Sequence, residues 1–229
     1  MTILLTGSSR GIGAAIHATL TAAGVPVLGH GTNSGIPADF ADPAAPAALW
    51  REALDRAGGT IDVLINNAGV FEANPIEADD WSEQWDRTMR VNLTASAELC
   101  RLAVLHWRER RVGGRIVNIA SRAAYRGDSP AHWHYAASKA GMVAMTKTIA
   151  RGYAAEGILA FTICPGFTMT GMAEDYIDSR GGDKLLADIP LGKVAAPEEV
   201  ASVARYCALE APASMTGAVI DVNGASYVR

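Results

Sequence analysis

The stretch from Ser121 to Lys139 holds a serine hydroxyl, the Tyr135 phenol and the Lys139 ammonium, the last two in Tyr135-Ala136-Ala137-Ser138-Lys139. The run around Tyr135 is rich in helix formers: Ala136, Ala137, Ala140, Met142 and Ala144. Positions i and i+4 of a helix share a face, so the spacing predicts that the phenol and the ammonium point the same way. An isolated tyrosine titrates near ~10 and a lysine near ~10.4. A fixed ammonium beside a phenol favours the phenolate and lowers its pKa. Tyr135 would then give and take a proton near neutral pH. A pair on the exposed face of an amphipathic helix would show the same spacing, so the surrounding chain has to supply the context.

The elements that would position these groups alternate. A buried strand is expected over residues 2–6, followed by Thr6-Gly7-Ser8-Ser9-Arg10-Gly11-Ile12-Gly13 and a helix to about Ala23. Strand, glycine turn and helix is the geometry that cradles a pyrophosphate, because small residues admit the ligand and N–H groups at a helix start bind anions. The glycines at 7, 11 and 13 depart from the G-x-G-x-x-G spacing, and an ordinary tight turn would also use them. A second strand is expected over 25–29. Where an acid would bind ribose hydroxyls, His30, Gly31, Thr32, Asn33 and Ser34 follow, and Arg10 lies close enough in the turn to meet a 2′-phosphate. NADP(H) is therefore favoured over NAD(H), with His30 read as a bystander. A very short strand at 36–40, a helix from Asp42-Pro43 to about Ala57, and a strand at 62–65 ending in Asn66-Asn67-Ala68-Gly69 come next. One long helical region is expected over 79–111, with Asn92 either capping a local break or serving the site. Strands at 115–119, 159–163 and 218–222 and helices at 135–156 and 197–209 complete the pattern. Seven strands alternating with helices predict an α/β fold, a parallel sheet covered on both faces.

The 229 residues show no linker, repeat or low-complexity tract and are read as a single domain, 1–229, with a lid over about 167–190. The formal net charge of -4 argues against a nucleic-acid surface. No run is long and apolar enough for a membrane or targeting segment. Cys100, Cys164 and Cys207 lack ligand spacing and suggest reduced, buried thiols in a cytoplasmic protein. His132 and His134 have no evident third partner, so no metal is expected; they line a pocket or face solvent.

Together, Thr6-Gly7-x-x-x-Gly11-Ile12-Gly13, Asn66-Asn67-Ala68-Gly69, Asn92, Ser121, Tyr135-x-x-x-Lys139 and Pro165-Gly166 resemble the short-chain dehydrogenase/reductase family over nearly the whole chain. The resemblance implies a Rossmann-like doubly wound sheet and hydride transfer between a nicotinamide cofactor and a carbonyl or alcohol. It implies Tyr135 as general acid or base and Lys139 as the ribose ligand that lowers the tyrosine pKa. Ser121 would bond the substrate oxygen and Asn92 would hold a relay water. Gly7, Ser9, Arg10, Gly11, Ile12 and Gly13 would shape the pyrophosphate turn. Thr32, Asp39, Asn66, Ala68 and Gly69 would meet the adenosine side; Pro165, Gly166 and Thr168 would meet the nicotinamide end, and Thr170 the pyrophosphate or carboxamide end. Two departures stand out: only a few residues separate the second and third strands, where relatives place a helix, and the Ser121–Tyr135 spacing is one residue longer than in close relatives.

Within the family, Ser8-Ser9-Arg10-Gly11-Ile12-Gly13, Pro165-Gly166-Phe167 and Val222-Asn223-Gly224 are most similar to 3-oxoacyl-[acyl-carrier-protein] reductases. Arg122 and Arg126 could rim the site for an acidic acyl carrier protein, or be solvated charges. The alternatives are a dehydrogenase of a small alcohol, polyol or sugar, for which His132, Trp133 and His134 would suit a polar ring, and a non-catalytic cofactor-binding regulator. The resemblance also implies a homotetramer built through the two long helices and the last strand.

Overall fold

The computed structural model describes residues 1–169 and 186–228. Among these the chain forms β1 (Ile3–Leu5), α1 (Gly11–Ala22), β2 (Val27–Gly31), β3 (Ile36–Pro37), α2 (Ala45–Arg56) and β4 (Val63–Asn66). Then come α3 (Trp81–Met89), a π-turn (Arg90–Thr94), α4 (Ala95–Arg110), β5 (Gly114–Ile119), α5 (Ala123–Arg126) and α6 (Trp133–Tyr153). β6 (Ile158–Pro165), α7 (Pro197–Leu209) and β7 (Val219–Val222) follow.

All seven strands are parallel, in the order β3-β2-β1-β4-β5-β6-β7. Alternate residues feed opposite faces, as the two-residue period of a strand requires. Ile3, Leu5, Val63, Ile65, Val117 and Phe161 pack with α1 and α7, while Leu4, Leu64, Ile116 and Ala160 pack with α2, α4 and α6. The order reverses between β1 and β4, and in open α/β sheets ligands bind outside the carboxyl ends at such a switch point. The loops after β1 and β4 meet there.

Three local expectations shift. β2 begins at Val27 because Pro26 has no N–H for the ladder; its carbonyl instead takes the Ile3 N–H at 3.0 Å, and Val27 pairs with Ile3. The long helix expected over 79–111 is broken by the π-turn at Arg90–Thr94. The crossover from β2 to β3 is only residues 32–35, although parallel neighbours ordinarily need a dozen or more. Gly35 makes the short path possible: its φ is +65°, and a Cβ there would lie 2.1 Å from the Gly29 carbonyl oxygen. The lid expected over 167–190 and the role given to Thr170 fall largely on residues 170–185, outside the described residues.

Candidate active site

The turn after β1 is shaped by contacts that only glycine permits. Gly7 has φ +66°, and a Cβ on it would approach the Ala68 Cα to 2.7 Å; a Cβ on Gly13 would approach the Gly7 carbonyl oxygen to 1.9 Å. α1 then starts with no side chain capping it and no acid in its first turn, which leaves its amides and dipole to an anion. These features fit a dinucleotide pyrophosphate. Ser9, Arg10, Thr32 and Asp39 are exposed around the turn, with Asp39 Oδ1 taking the Ala41 N–H at 3.0 Å. Ile12 is part-buried against the α1–α7 core.

Asn67, unassigned in the sequence, ties the two switch-point loops together. Its amide donates to the carbonyls of Thr6 at 3.2 Å and Gly7 at 2.9 Å. The Thr6 hydroxyl accepts the N–H groups of Asn67 (3.0 Å) and Ala68 (3.1 Å). Asn66, expected on the adenosine side, points elsewhere. It shares the Leu64 face of β4, is 0% exposed, and donates to Asn118 Oδ1 at 2.9 Å and to the Cys100 thiol at 3.3 Å. Asn118 in turn donates to Thr146 Oγ1 at 2.8 Å. The strand period thus sends this side chain into the core. His30 also departs from its expected bystander role: it is buried and bonds to both Gly7 and Ala38.

The catalytic candidates converge. α6 places Tyr135 and Lys139 on one face, with Lys139 Nζ 5.8 Å from the phenol ring centroid. Lys139 is buried and donates to the Ile119 carbonyl at 2.9 Å, at the end of β5. Ser121 follows two residues later; its Oγ accepts the Ala123 N–H at 3.1 Å, starting α5, and its hydroxyl lies beside the Tyr135 phenol. Asn92 enters from the π-turn. Its Oδ1 takes the Val70 N–H at 2.8 Å and its Nδ2 donates to the Val70 carbonyl at 2.9 Å. A Cβ on Gly69 would lie 3.3 Å from Asn92 Oδ1 and 3.6 Å from Lys139 Nζ, so these three residues form one packed corner. At the far side, a Cβ on Gly166 would lie 2.8 Å from Asn223, and buried Thr168 donates to the Gly166 carbonyl at 3.3 Å.

The electrostatics reverse one expectation. Where a lowered Tyr135 pKa is expected, burial pushes the phenol up to about 12, with the Ser121 hydroxyl pulling the other way. The same burial pushes the Lys139 ammonium down to about 8, opposed by the Cys164 thiol. The cause is that Lys139 is turned to the Ile119 carbonyl and is itself desolvated, so the low-polarity surroundings outweigh its field.

Phe71 walls the space in front of Tyr135. Its ring stacks on His132 at 4.0 Å and meets the Tyr135 ring edge-on at 4.7 Å. His132 Nδ1 lies 2.7 Å from Ser129 Oγ. His134 is buried behind it. Arg122 is buried rather than solvated, while Arg126 is exposed but paired. Both reach Asp188, at 3.2 and 2.6 Å, and the Arg122 guanidinium is buried over the Phe167 ring at 4.9 Å.

The three thiols are buried and form no disulfide. No helix among the described residues is long and apolar enough to cross a membrane.

A family profile described as enoyl-(acyl carrier protein) reductase matches residues 27–225. The chain is 33% identical to the 3-oxoacyl-[acyl-carrier-protein] reductase of Vibrio cholerae, over 98% of this chain and 96% of that one. It is 35% identical to the D-beta-hydroxybutyrate dehydrogenase of Rhizobium meliloti, over 97% of each. It is 33% identical to the 3beta-hydroxysteroid dehydrogenase 1 of Eggerthella lenta, over 97% of this chain and 92% of that one. A crystal structure from Agrobacterium tumefaciens, provisionally assigned as a gluconate dehydrogenase, superposes with a TM-score of 0.89 at 28% identity, covering 100% of this chain and 96% of that one. With the glycine turn, the Asn92–Ser121–Tyr135–Lys139 group and the seven-stranded sheet in one arrangement, the chain belongs to the short-chain dehydrogenase/reductase family.

Proposed function

We propose that this oxidoreductase of CH–OH groups uses NADP(H) to interconvert a ketone and a secondary alcohol, and that its ketone is the 3-oxo group of an acyl thioester. The observation that carries this reading is the convergence of Ser121, Tyr135 and Lys139 at the end of β5. With Ser121 beside it, the Tyr135 phenol can give its proton to a substrate oxygen in reduction and take one in oxidation. The nicotinamide, when bound, supplies the hydride. Ser121 and Tyr135 orient the carbonyl oxygen, and Lys139 keeps positive charge behind the phenol and binds ribose. Asn92, held by Val70 near Lys139, would hold the relay water. Gly7 to Gly13 hold the pyrophosphate. Arg10, Ser9 and Thr32, with no carboxylate among 30–34, support a 2′-phosphate. The thioester is supported by the likeness to 3-oxoacyl-[acyl-carrier-protein] reductases along nearly the whole of both chains. With Arg122 and Arg126 engaged by Asp188, it gains nothing from a basic rim at those two residues.

The Phe71–His132 stack favours a second reading. A flat aromatic wall beside Tyr135 suits a compact alcohol, polyol or sugar acid. A homotetramer through α4 and α6 is supported by Leu105 (47% exposed) and Trp133 (55% exposed) on their surfaces. Oxidation of NADPH and NADH is measured in parallel against an acetoacetyl thioester, simple ketones and ketosugars, with Tyr135→Phe as control. NADPH turnover on the thioester, lost in the control, is expected. Turnover only with NADH, or only on sugars or alcohols, overturns the cofactor or the substrate. Binding without turnover returns the protein to the regulators.

A further inference from the structure

The His30 ring sits at the carboxyl end of β2 and touches both halves of the turn that would hold the dinucleotide. Its Nδ1 lies 3.2 Å from the Gly7 amide nitrogen and its Nε2 lies 3.0 Å from the Ala38 carbonyl oxygen. The ring stacks on Phe40, centroids 4.4 Å apart and planes 18° from parallel. An amide N–H only donates and a carbonyl only accepts, so one species satisfies both contacts: a neutral ring with its proton on Nε2. Burial favours that neutral form, with the Ala38 hydrogen bond opposing it. The main chain of the same residue acts on the next position, since the His30 carbonyl accepts the Ser8 N–H at 2.8 Å and the Ser8 hydroxyl at 3.2 Å. One residue therefore clamps Gly7 and Ser8 from two directions.

The clamp stands where the chain is shortest. Only residues 32–35, with no helix among them, join β2 to β3. Gly7 is also held in a left-handed conformation that a flexible glycine would readily leave. A turn that must be ordered on binding costs affinity, and a turn ordered beforehand does not.

We propose that His30 is a positioning residue of the dinucleotide site: it preorganises the Gly7 amide and the pyrophosphate turn, and through Ala38 it fixes that turn relative to Asp39. This rests on the reading of the Gly7–Gly13 turn as a dinucleotide cradle. The test is fluorescence titration of NADPH into the wild type, His30→Asn and His30→Gln, with thermal unfolding recorded on each. Asparagine keeps an acceptor near the position of Nδ1; glutamine reaches the position of Nε2 and leaves the Gly7 amide unmet. We expect His30→Asn to bind within about threefold of the wild type and His30→Gln about tenfold more weakly, the scale of one lost hydrogen bond. Wild-type affinity in His30→Gln, or equal weakening in both folded variants, overturns the inference alone. A wild type that binds no dinucleotide overturns the functional reading and this inference with it. Should either variant fail to fold, the ring tautomer in the wild type decides by nitrogen NMR: a proton on Nε2 is expected, and a proton on Nδ1 overturns the clamp.

Discussion

Burial acts in opposite senses on Tyr135 and Lys139, because protonation makes one neutral and the other charged. The phenol rises to about 12 and the ammonium falls to about 8. In the folded protein Lys139 thus loses its proton as pH rises through about 8, and with it the positive charge behind Tyr135. The free-enzyme kcat/KM for carbonyl reduction should fall over that range, read from initial rates between pH 6 and 10. Unfolding does not mimic this loss. An unfolded lysine keeps its proton to about 10.4, so between the two pKa values the unfolded chain binds more protons and this group's contribution makes stability rise with pH. A flat profile would show that the lysine charge is not used. Tyr135→Phe removes the proton donor but no cofactor contact at the turn. It should lower kcat by about 10²–10⁴-fold while NADPH still binds in a fluorescence titration.

Two elements carry the site through contacts that reach beyond themselves. The π-turn at Arg90–Thr94 aims Asn92 at Val70, and Asn92→Ala would leave the part-buried N–H and C=O of Val70 without that partner. A loss of about 1–3 kcal/mol in a urea titration is expected, since unmet buried groups cost their full desolvation. Unchanged stability would mean that water replaces the amide. At the other end, Asp188 joins α5 to the stretch leading into α7 by accepting from Arg126 and forming an ion pair with Arg122. Asp188→Asn keeps the shape and removes the charge that two guanidiniums share. Because the Asp188 side chain is 43% exposed, solvent screens much of the effect, and about 1 kcal/mol of stability should go rather than the several that a fully buried pair would lose. Since Arg122 directly follows Ser121 and covers Phe167, the same variant should raise the KM for the carbonyl substrate.

At the scale of the molecule, the strand order sets what can meet. β1 and β4 lie side by side, so the loops after them supply Gly7 and Ala68 to one crevice, and β5 and α6 deliver Ser121, Tyr135 and Lys139 to its far end. Arg10 stands at the near end, exposed at the start of α1, so Arg10→Glu should weaken NADPH binding by tenfold or more while affecting NADH little; loss of both cofactors alike would refute the 2′-phosphate role. Light scattering tests the assembly, with a mass near four times the 24.0 kDa chain expected. A monomer at micromolar concentration would leave Leu105 and Trp133 without the subunit contact proposed for them.

The sequence by itself determined the fold class, the strand–helix alternation and the shared helix face of Tyr135 and Lys139. Those follow from local rules: apolar runs, glycine positions, and the i,i+4 spacing of Tyr135 and Lys139. It could not determine direction. Whether Asn66 faces a ligand or the core depends on which β4 face meets α4, and the same strand period that made β4 legible turned its last residue inward. The clamp by His30 depends on a partner 23 residues earlier, and the capture of Arg126 on one 62 residues later. The sign of the Tyr135 shift depends on burial, a property of everything packed around the phenol. Spacing within a segment is written in the chain, whereas desolvation and long-range partners exist only once the sheet has closed over its helices.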